Sequence, residues 1–285
     1  MGAQHFSGPL FVGGRNVMAG NAAWAGIDLF VNTVHGSDSA YTKGLDWSNA
    51  FATMQAALDR LDTPKFFSAE QASNSRIWVA GCLKEHALAP LGVYGVQIIG
   101  AVHGRPRHST SGGVVLDGNG ASWYESATST NKPLLELREQ GWEVVNMLLV
   151  PKSGYGAVKL HREENATYPD ASHFAMRSCK VISSGTRVGL GIDDSGASYH
   201  ILVEDNEFYN LEYAYKASGV GIAAPGAHQW LRNKFSGCKH DIYGNFYGSD
   251  FIGNRFCTPY NGSTHPNTLN LAATADAGVA TDANH

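Results

Sequence analysis

The sequence contains little charge and no long apolar run. Charged residues make up 16% of the 285 residues, and the formal net charge is −4. A chain without a basic surplus lacks the electrostatic footprint of a nucleic-acid-binding protein. Apolar runs long enough to cross a bilayer are absent, and so is a basic N-terminal segment followed by an apolar one. We therefore expect no membrane association and no secretory signal peptide.

Cysteine and histidine occur without the spacings of metal or disulfide sites. The four cysteines, Cys82, Cys179, Cys238 and Cys257, form no Cys-x-x-Cys pair, and the 12 histidines form no His-x-His or His-x-x-x-His pattern. These spacings predict free thiols, no zinc site and no cofactor.

Glycine and aromatic residues are plentiful, but only one segment has helical periodicity. The 33 glycines and 11% aromatic residues favour an all-β protein with many tight turns. The helical stripe consists of Trp47, Phe51, Met54, Leu58 and Leu61. Its spacing predicts one amphipathic helix over about residues 46–61, with Asp46 as N-cap.

From residue 76 onward, short apolar runs alternate with Gly, Asn, Asp and Ser, and one frame recurs. Each copy has apolar residues, then Asn or Cys, then any residue, then Phe or Leu. The marker residues are Asn146, Cys179, Asn206, Asn233 and Asn254. A repeat of 21 to 33 residues built from short strands predicts a solenoid. We expect the markers to form a structural ladder in which each Asn adopts left-handed geometry at the same turn.

Two regions resemble the pectate-lyase-like superfamily. Residues 31–38 followed by residues 47–58 resemble its first strand and capping helix, and residues 95–101 with 115–118 resemble its first full coil. The likeness covers about residues 28–258. It implies an all-β fold: a right-handed parallel β-helix closed at its N-terminal end by one capping α-helix. It implies no single function, because the superfamily includes lyases, hydrolases, adhesins and phage proteins.

The resemblance divides the chain into three parts. We predict an N-terminal attachment arm at 1–27, a parallel β-helix domain at 28–258 and a C-terminal tail at 259–285. Residues 6–12 are similar to short N-terminal arms of phage virion proteins. The residues expected to make the attachment are Phe6, Pro9, Leu10 and Phe11.

One acidic pair is a candidate catalytic site. Asp193 and Asp194 resemble the paired aspartates of the polygalacturonase-like branch, whose Asn-Thr-Asp, Gly-His-Gly and Arg-Ile-Lys motifs are missing. Aligning the repeats stacks Asp193 on His161 and Ala223, so carboxylates do not gather, and the pair is interpreted as a solvated turn. If the chain is an enzyme, Asp193, Asp194 and His161 are the candidate acid–base residues.

The expected function is that of a phage virion structural protein, a capsid decoration protein made in the host cytoplasm. Expected partners are other virion proteins and two further copies of the chain in a homotrimer, with a host glycan as a candidate ligand. Nucleic acid, membrane, cofactor and metal are not expected. The alternatives are a polysaccharide depolymerase acting as lyase or glycoside hydrolase, a glycan-binding module, and a tail fibre or spike component.

Overall fold

The structure is a computed structural model, and its description covers most of the residues between 26 and 257. The described residues are 10–12, 15–17, 26–39, 42, 44–62, 72–101, 121–124, 132–161, 171–183, 185, 187–195, 198–217, 226–244, 248–257, 269–271 and 280–281. Among these residues, no helix is long and apolar enough to cross a membrane.

The chain folds as a right-handed parallel β-helix in which successive strands visit three parallel sheets in turn. Sheet 1 contains β3 (Asp28–Asn32), β4 (Arg76–Ala80), β7 (Gln97–Gly100), β10 (Glu143–Val145), β13 (Ala175–Arg177), β16 (Leu202–Glu204), β19 (Gln229–Leu231), β22 (Asp250–Ile252) and β25 (Ala280–Thr281). Sheet 2 contains β5 (Cys82–Lys84), β8 (Ser122–Tyr124), β11 (Leu148–Val150), β14 (Lys180–Ile182), β17 (Glu207–Tyr209), β20 (Lys234–Ser236) and β23 (Arg255–Cys257). Sheet 3 contains β6 (Ala87–Leu88), β9 (Leu135–Leu137), β12 (Gly156–Leu160), β15 (Leu190–Asp194), β18 (Tyr213–Ala217), β21 (His240–Gly244) and β24 (Leu269–Leu271).

Side chains from all three sheets meet in one continuous core. Residues at the same register position stack from coil to coil, because parallel strands place equivalent side chains one above another. The rings of Phe208, Phe235 and Phe256 form one such stack, with centroids 5.2 and 5.0 Å apart. Trp230 and Phe251 stack in the same way from sheet 1. The interior therefore consists of apolar rows that run along the solenoid axis.

Sheet 1 passes into sheet 2 through a two-residue corner. The first corner residue has a left-handed backbone in five coils, with φ between 52° and 62°: Asn146, Ser178, Asp205, Arg232 and Gly253. The second corner residue is buried in every one of these coils. The left-handed residue turns the chain sharply, and the chain then continues into the next sheet.

The N-terminal end is covered by helical segments that differ from the single helix predicted over 46–61. A 3₁₀ helix spans Trp47–Asn49, and the α-helix α1 spans Met54–Leu61. Between them Phe51 is extended and bridges to Val31, with its N–H donating to Phe30 at 2.8 Å. The prediction of one continuous helix is wrong, because hydrogen bonding to sheet 1 interrupts it.

The helix α1 nevertheless closes the core with one apolar face. Its buried residues are Met54, Ala57, Leu58 and Leu61. Thr53 is its N-cap, and the side-chain oxygen of Thr53 accepts a hydrogen bond from Ala56 N–H. The Glu85 carboxylate accepts from Met54 N–H at 2.7 Å and from Gln55 N–H at 3.1 Å. A carboxylate that directly follows β5 thus satisfies backbone N–H groups of the first turn of the helix.

Both terminal regions contain strands. In the predicted arm, β1 (Leu10–Val12) and β2 (Arg15–Val17) pair antiparallel. In the predicted tail, β24 pairs with β21 and β25 pairs with β22, both in parallel. The sheets of the β-helix therefore continue beyond residue 258.

Candidate functional site

The predicted acidic pair lies on sheet 3, within β15 rather than in a turn. Asp193 shares its register position with Lys159 in the preceding coil and Lys216 in the following coil. Glu136 precedes Lys159 in the same row, with Lys159 Nζ 3.8 Å from Glu136 Oε1. The row therefore alternates in charge along four coils, so each carboxylate is adjacent to an ammonium group.

Asp194 is fully buried and is held by hydrogen-bond donors. Its carboxylate accepts from the Ser198 N–H at 3.1 and 3.2 Å, from the Ser198 hydroxyl at 3.0 Å and from the Tyr215 hydroxyl at 2.7 Å. Burial, together with the negative charge of Asp194, raises the pKa of Tyr215 well above its ordinary value. The Tyr215 hydroxyl therefore remains protonated and donates its hydrogen bond to Asp194. The prediction of a solvated turn is wrong for Asp194, because its side chain enters the interior.

The third candidate, His161, lies two register positions away from Asp193. Because Leu160 pairs with Asp194, His161 lies opposite Ser195 rather than opposite Asp193. The predicted stacking of Asp193 on His161 is wrong by two residues, and Ala223 lies outside the described residues. A catalytic carboxylate pair needs two groups facing one substrate. Here Asp193 faces outward between lysines, and Asp194 has no exposed surface.

The marker ladder is one residue out of register at its first member. The buried corner position is occupied by Met147, Cys179, Asn206, Asn233 and Asn254. Asn146 occupies the preceding left-handed position, and its amide donates to Gly100 O at 2.9 Å. The prediction that Asn146 belongs to the ladder is therefore wrong. The left-handed conformation predicted for the other markers belongs to the residue before each of them.

The asparagines of the ladder bridge one coil to the next. Asn233 Oδ1 accepts from the backbone N–H and the amide of Asn206, at 3.0 and 3.1 Å. Asn233 Nδ2 donates to Val203 O at 2.7 Å and to Asn254 Oδ1 at 3.0 Å. Asn206 also accepts from Cys179 N–H at 2.8 Å. The amides thus satisfy backbone groups that the corner leaves without strand partners.

Several titratable groups are buried near the C-terminal coils. Burial raises the pKa of Asp241 to about 7 and the pKa of Cys238 to about 12. Burial lowers the pKa of His228 to about 3, and His228 Nδ1 accepts from Ile201 N–H at 3.1 Å. Burial also raises the pKa of Cys179 to about 12. All four cysteines are free thiols. Cys179 and Cys238 are too buried and too weakly acidic to act as nucleophiles.

A second polar surface lies on the outer face of sheet 2. A groove of about 200 Å³ is lined by Lys180, Glu207, Phe208, Tyr209, Lys234 and Ser236. Lys180 Nζ lies 3.3 Å from Glu207 Oε2. Sequence reasoning missed this groove, although the signal was available. Each of its charged residues directly follows a ladder residue in the repeat.

The remaining expectations concern attachment and metal binding. Phe6 and Pro9 lie outside the described residues, while Leu10 and Phe11 belong to β1. Among the described residues, no group of three or more His, Cys, Asp or Glu side chains is placed to hold a metal ion.

Comparisons with known proteins do not indicate a function for this chain. No family model and no curated protein matches the chain. Among solved structures, the chain is similar to one described as rhamnogalacturonan lyase, with 12% identity and a TM-score of 0.29. The match covers 84% of this chain and 59% of that one. A likeness this distant carries no argument. The three-sheet parallel architecture itself agrees with the fold that the superfamily resemblance implies.

Proposed function

We propose that the chain is a structural β-helix of a phage particle, mounted on the capsid surface as a decoration protein. The observation that carries the proposal is the outer row of sheet 3, where Glu136, Lys159, Asp193 and Lys216 alternate in charge. Paired opposite charges on neighbouring strands stabilise a sheet. A glycan-cleaving site instead needs carboxylates that act together on one bond.

The interior supports the same proposal. Aromatic stacks and the amide ladder tie each coil to the next, as a rigid element mounted on a particle requires. The role in a virion rests on the similarity of residues 6–12 to the arms of phage virion proteins. That segment would attach the β-helix to other virion proteins.

Incorporation into particles tests the proposed attachment. Deleting residues 1–25 should abolish incorporation while the circular dichroism of the purified protein still shows a folded β-helix. The matched control is Asp193→Ala, which changes the outer row of sheet 3 and should leave incorporation unchanged. Normal incorporation of the truncated chain would count against attachment through this arm.

Incubation with uronate polymers tests the enzymatic alternative. We expect no new reducing ends and no unsaturated products from the wild-type protein. Cleavage that disappears in a folded Asp193→Ala variant would overturn the structural proposal and assign the chain to the depolymerases.

A further inference from the structure

Two exposed histidines lie side by side at the corner between sheet 3 and sheet 1. His173 and His200 each come two residues before a strand of sheet 1, and those strands pair Ala175 with Leu202. The two imidazole rings therefore occupy equivalent positions in successive coils. Their centroids are 4.9 Å apart, and their planes are inclined by 26°. The search for His-x-His spacings in the sequence could not find this pair, because its members come from different coils.

The backbone holds the two histidines at a fixed separation. His173 has a φ of 59° and His200 a φ of 56°, so both adopt the left-handed conformation. The N–H of His173 donates to Tyr199 O at 2.8 Å, and the N–H of His200 donates to Gly226 O at 3.1 Å. These bonds join each corner to the corner of the next coil, and neighbouring parallel strands are about 4.8 Å apart. The corner therefore fixes the backbone of both residues, while their side chains are exposed to solvent.

The ring nitrogens of this pair are not used to hold the fold. Neither imidazole takes part in a hydrogen bond or an ion pair in the part of the chain that the structure describes. The buried His228, by contrast, accepts a hydrogen bond from Ile201 N–H. A neutral imidazole has one nitrogen with a free lone pair. The pair thus offers two such nitrogens to a ligand from adjacent coils.

Small residues flank the pair along the solenoid axis. The equivalent position is occupied by Gly141 in the coil before His173 and by Ala227 in the coil after His200. No side chain larger than a methyl group therefore lies beside the pair in this row of four described coils, which leaves room for water molecules. The next outward row of sheet 1 carries uncharged residues in the two histidine coils. No cation in that row of these two coils opposes a bound metal ion.

We propose that His173 and His200 together bind one divalent transition-metal ion of the nickel, copper and zinc class, with water completing its coordination. Imidazole suits these ions, whereas Mg²⁺ and Ca²⁺ prefer oxygen ligands. Two nitrogens that bind one ion at about 2.0–2.1 Å are themselves about 3 Å apart. Because the ring centroids are 4.9 Å apart, rotation of the two exposed rings brings one nitrogen of each to that separation. The site is independent of whether the chain is mounted on a particle.

Titration calorimetry of the full chain with nickel chloride tests the proposal. We expect saturable binding that excess Mg²⁺ or Ca²⁺ does not weaken. His173→Asn and His200→Asn each remove one imidazole, and Asn suits the left-handed backbone, as Asn74 shows at the equivalent position of an earlier coil. Each variant should lose at least about tenfold in affinity for Ni²⁺, since even residues that only orient a metal ligand contribute that much.

A matched control and a second measurement separate the pair from the other histidines. His35→Asn removes an exposed imidazole from a different turn, so it should bind Ni²⁺ like the wild type. The bound metal joins two coils, so saturating Ni²⁺ should raise the melting temperature of the wild type and of His35→Asn. It should leave the melting temperature of the double variant His173→Asn/His200→Asn unchanged. Circular dichroism of each variant verifies the fold.

Three results would overturn the proposal. The first is no saturable binding of Ni²⁺ by the wild-type protein. The second is equal affinity and equal stoichiometry in the wild type and the double variant, which would assign the binding to other histidines. The third is a loss of affinity in only one of the two single variants, which would show that one imidazole binds the metal without the other.

Discussion

At the scale of single residues, the corner amides show how buried polar groups stabilise this solenoid. Asn206, Asn233 and Asn254 are at most 2% exposed, yet each bonds to backbone groups of neighbouring coils. A buried backbone N–H or carbonyl without a partner costs about 1–3 kcal/mol. The amides therefore protect the corner where strand pairing stops.

Replacement of Asn233 tests the role of the ladder. Asn233→Ala leaves Asn206 N–H and Val203 O without their partners, so we expect the free energy of unfolding to fall by about 2–4 kcal/mol. Gln229→Ala, an exposed change on the neighbouring strand, should stay within about 0.5 kcal/mol of the wild type. Urea denaturation measures both. Similar small losses in the two variants would show that the amide bonds contribute little.

Two buried titratable groups give stability opposite dependences on pH. The pKa of Asp241 is raised to about 7. The contribution of Asp241 to the free energy of unfolding is therefore fully present below pH about 4 and is lost as pH rises through about 7. The pKa of His228 is lowered to about 3, so its contribution is present above pH about 6.5 and is lost as pH falls. The two effects oppose each other over the same range.

Asp241→Asn separates the two effects. Without the Asp241 term, the free energy of unfolding should fall as pH is lowered from 7 to 4, relative to the wild type, by up to about 4 kcal/mol at 1.36 kcal/mol per pKa unit. Asp62→Asn changes an exposed carboxylate and should follow the wild-type profile. Denaturant unfolding at several pH values measures the slopes. Parallel profiles for Asp241→Asn and the wild type would contradict the assigned burial effect.

At the scale of elements, the sequence predicts the repeat but not its register. The recurring frame predicts a solenoid and identifies Cys179, Asn206, Asn233 and Asn254 as equivalent, as their shared register shows. Asn146 fits the same frame by type, but the corner holds two consecutive residues, and Asn suits the left-handed position as well as the buried one. Residue type alone cannot distinguish the two positions, whereas the strand pairing between coils distinguishes them.

The same limit explains the error at the candidate catalytic pair. Shifting the strand register by two residues changes the neighbour of Asp193 from His161 to Lys159. The register depends on the length of each coil, and long insertions change that length. The sequence also does not predict the burial of Asp194, since two adjacent carboxylates usually indicate a polar turn. The hydrogen bonds from Ser198 and Tyr215 stabilise the buried carboxylate of Asp194, and the sequence around Asp194 does not show that these donors lie beside it.

The capping helix allows a test at the same scale. Glu85→Ala removes the acceptor for the Met54 and Gln55 N–H groups, so we expect a loss of about 1–2 kcal/mol in unfolding free energy. Glu85→Gln keeps one acceptor oxygen and should lose less. The neighbouring exposed change Lys84→Ala should have little effect in the same urea titration. Equal losses at positions 84 and 85 would contradict the capping role.

At the scale of the whole molecule, an apolar row on the outer face of sheet 1 fits the proposed homotrimer. Phe30, Trp78, Ile99 and Val145 share one register position in four successive coils. The ring of Trp47 packs edge-on against Phe30, with centroids 4.9 Å apart. Contiguous outward apolar residues of this kind are typical of surfaces that bind other proteins.

Sedimentation equilibrium tests the trimer. The wild-type protein should sediment with three times the mass of the chain, and Trp78→Glu should shift it toward the monomer, because association would bury the added charge. Tyr94→Glu adds the same charge at an exposed site outside the apolar row and should remain trimeric. A wild-type monomer across the concentration range would refute the assembly.

Electron cryomicroscopy of the phage particle tests the central proposal most directly. We predict solenoid-shaped density on the capsid surface into which the three-sheet β-helix fits, with the N-terminal segment toward the shell. The density should be absent from particles assembled without the chain. Particles that lack such density, while the protein accumulates free and cleaves a polysaccharide, would contradict the structural role.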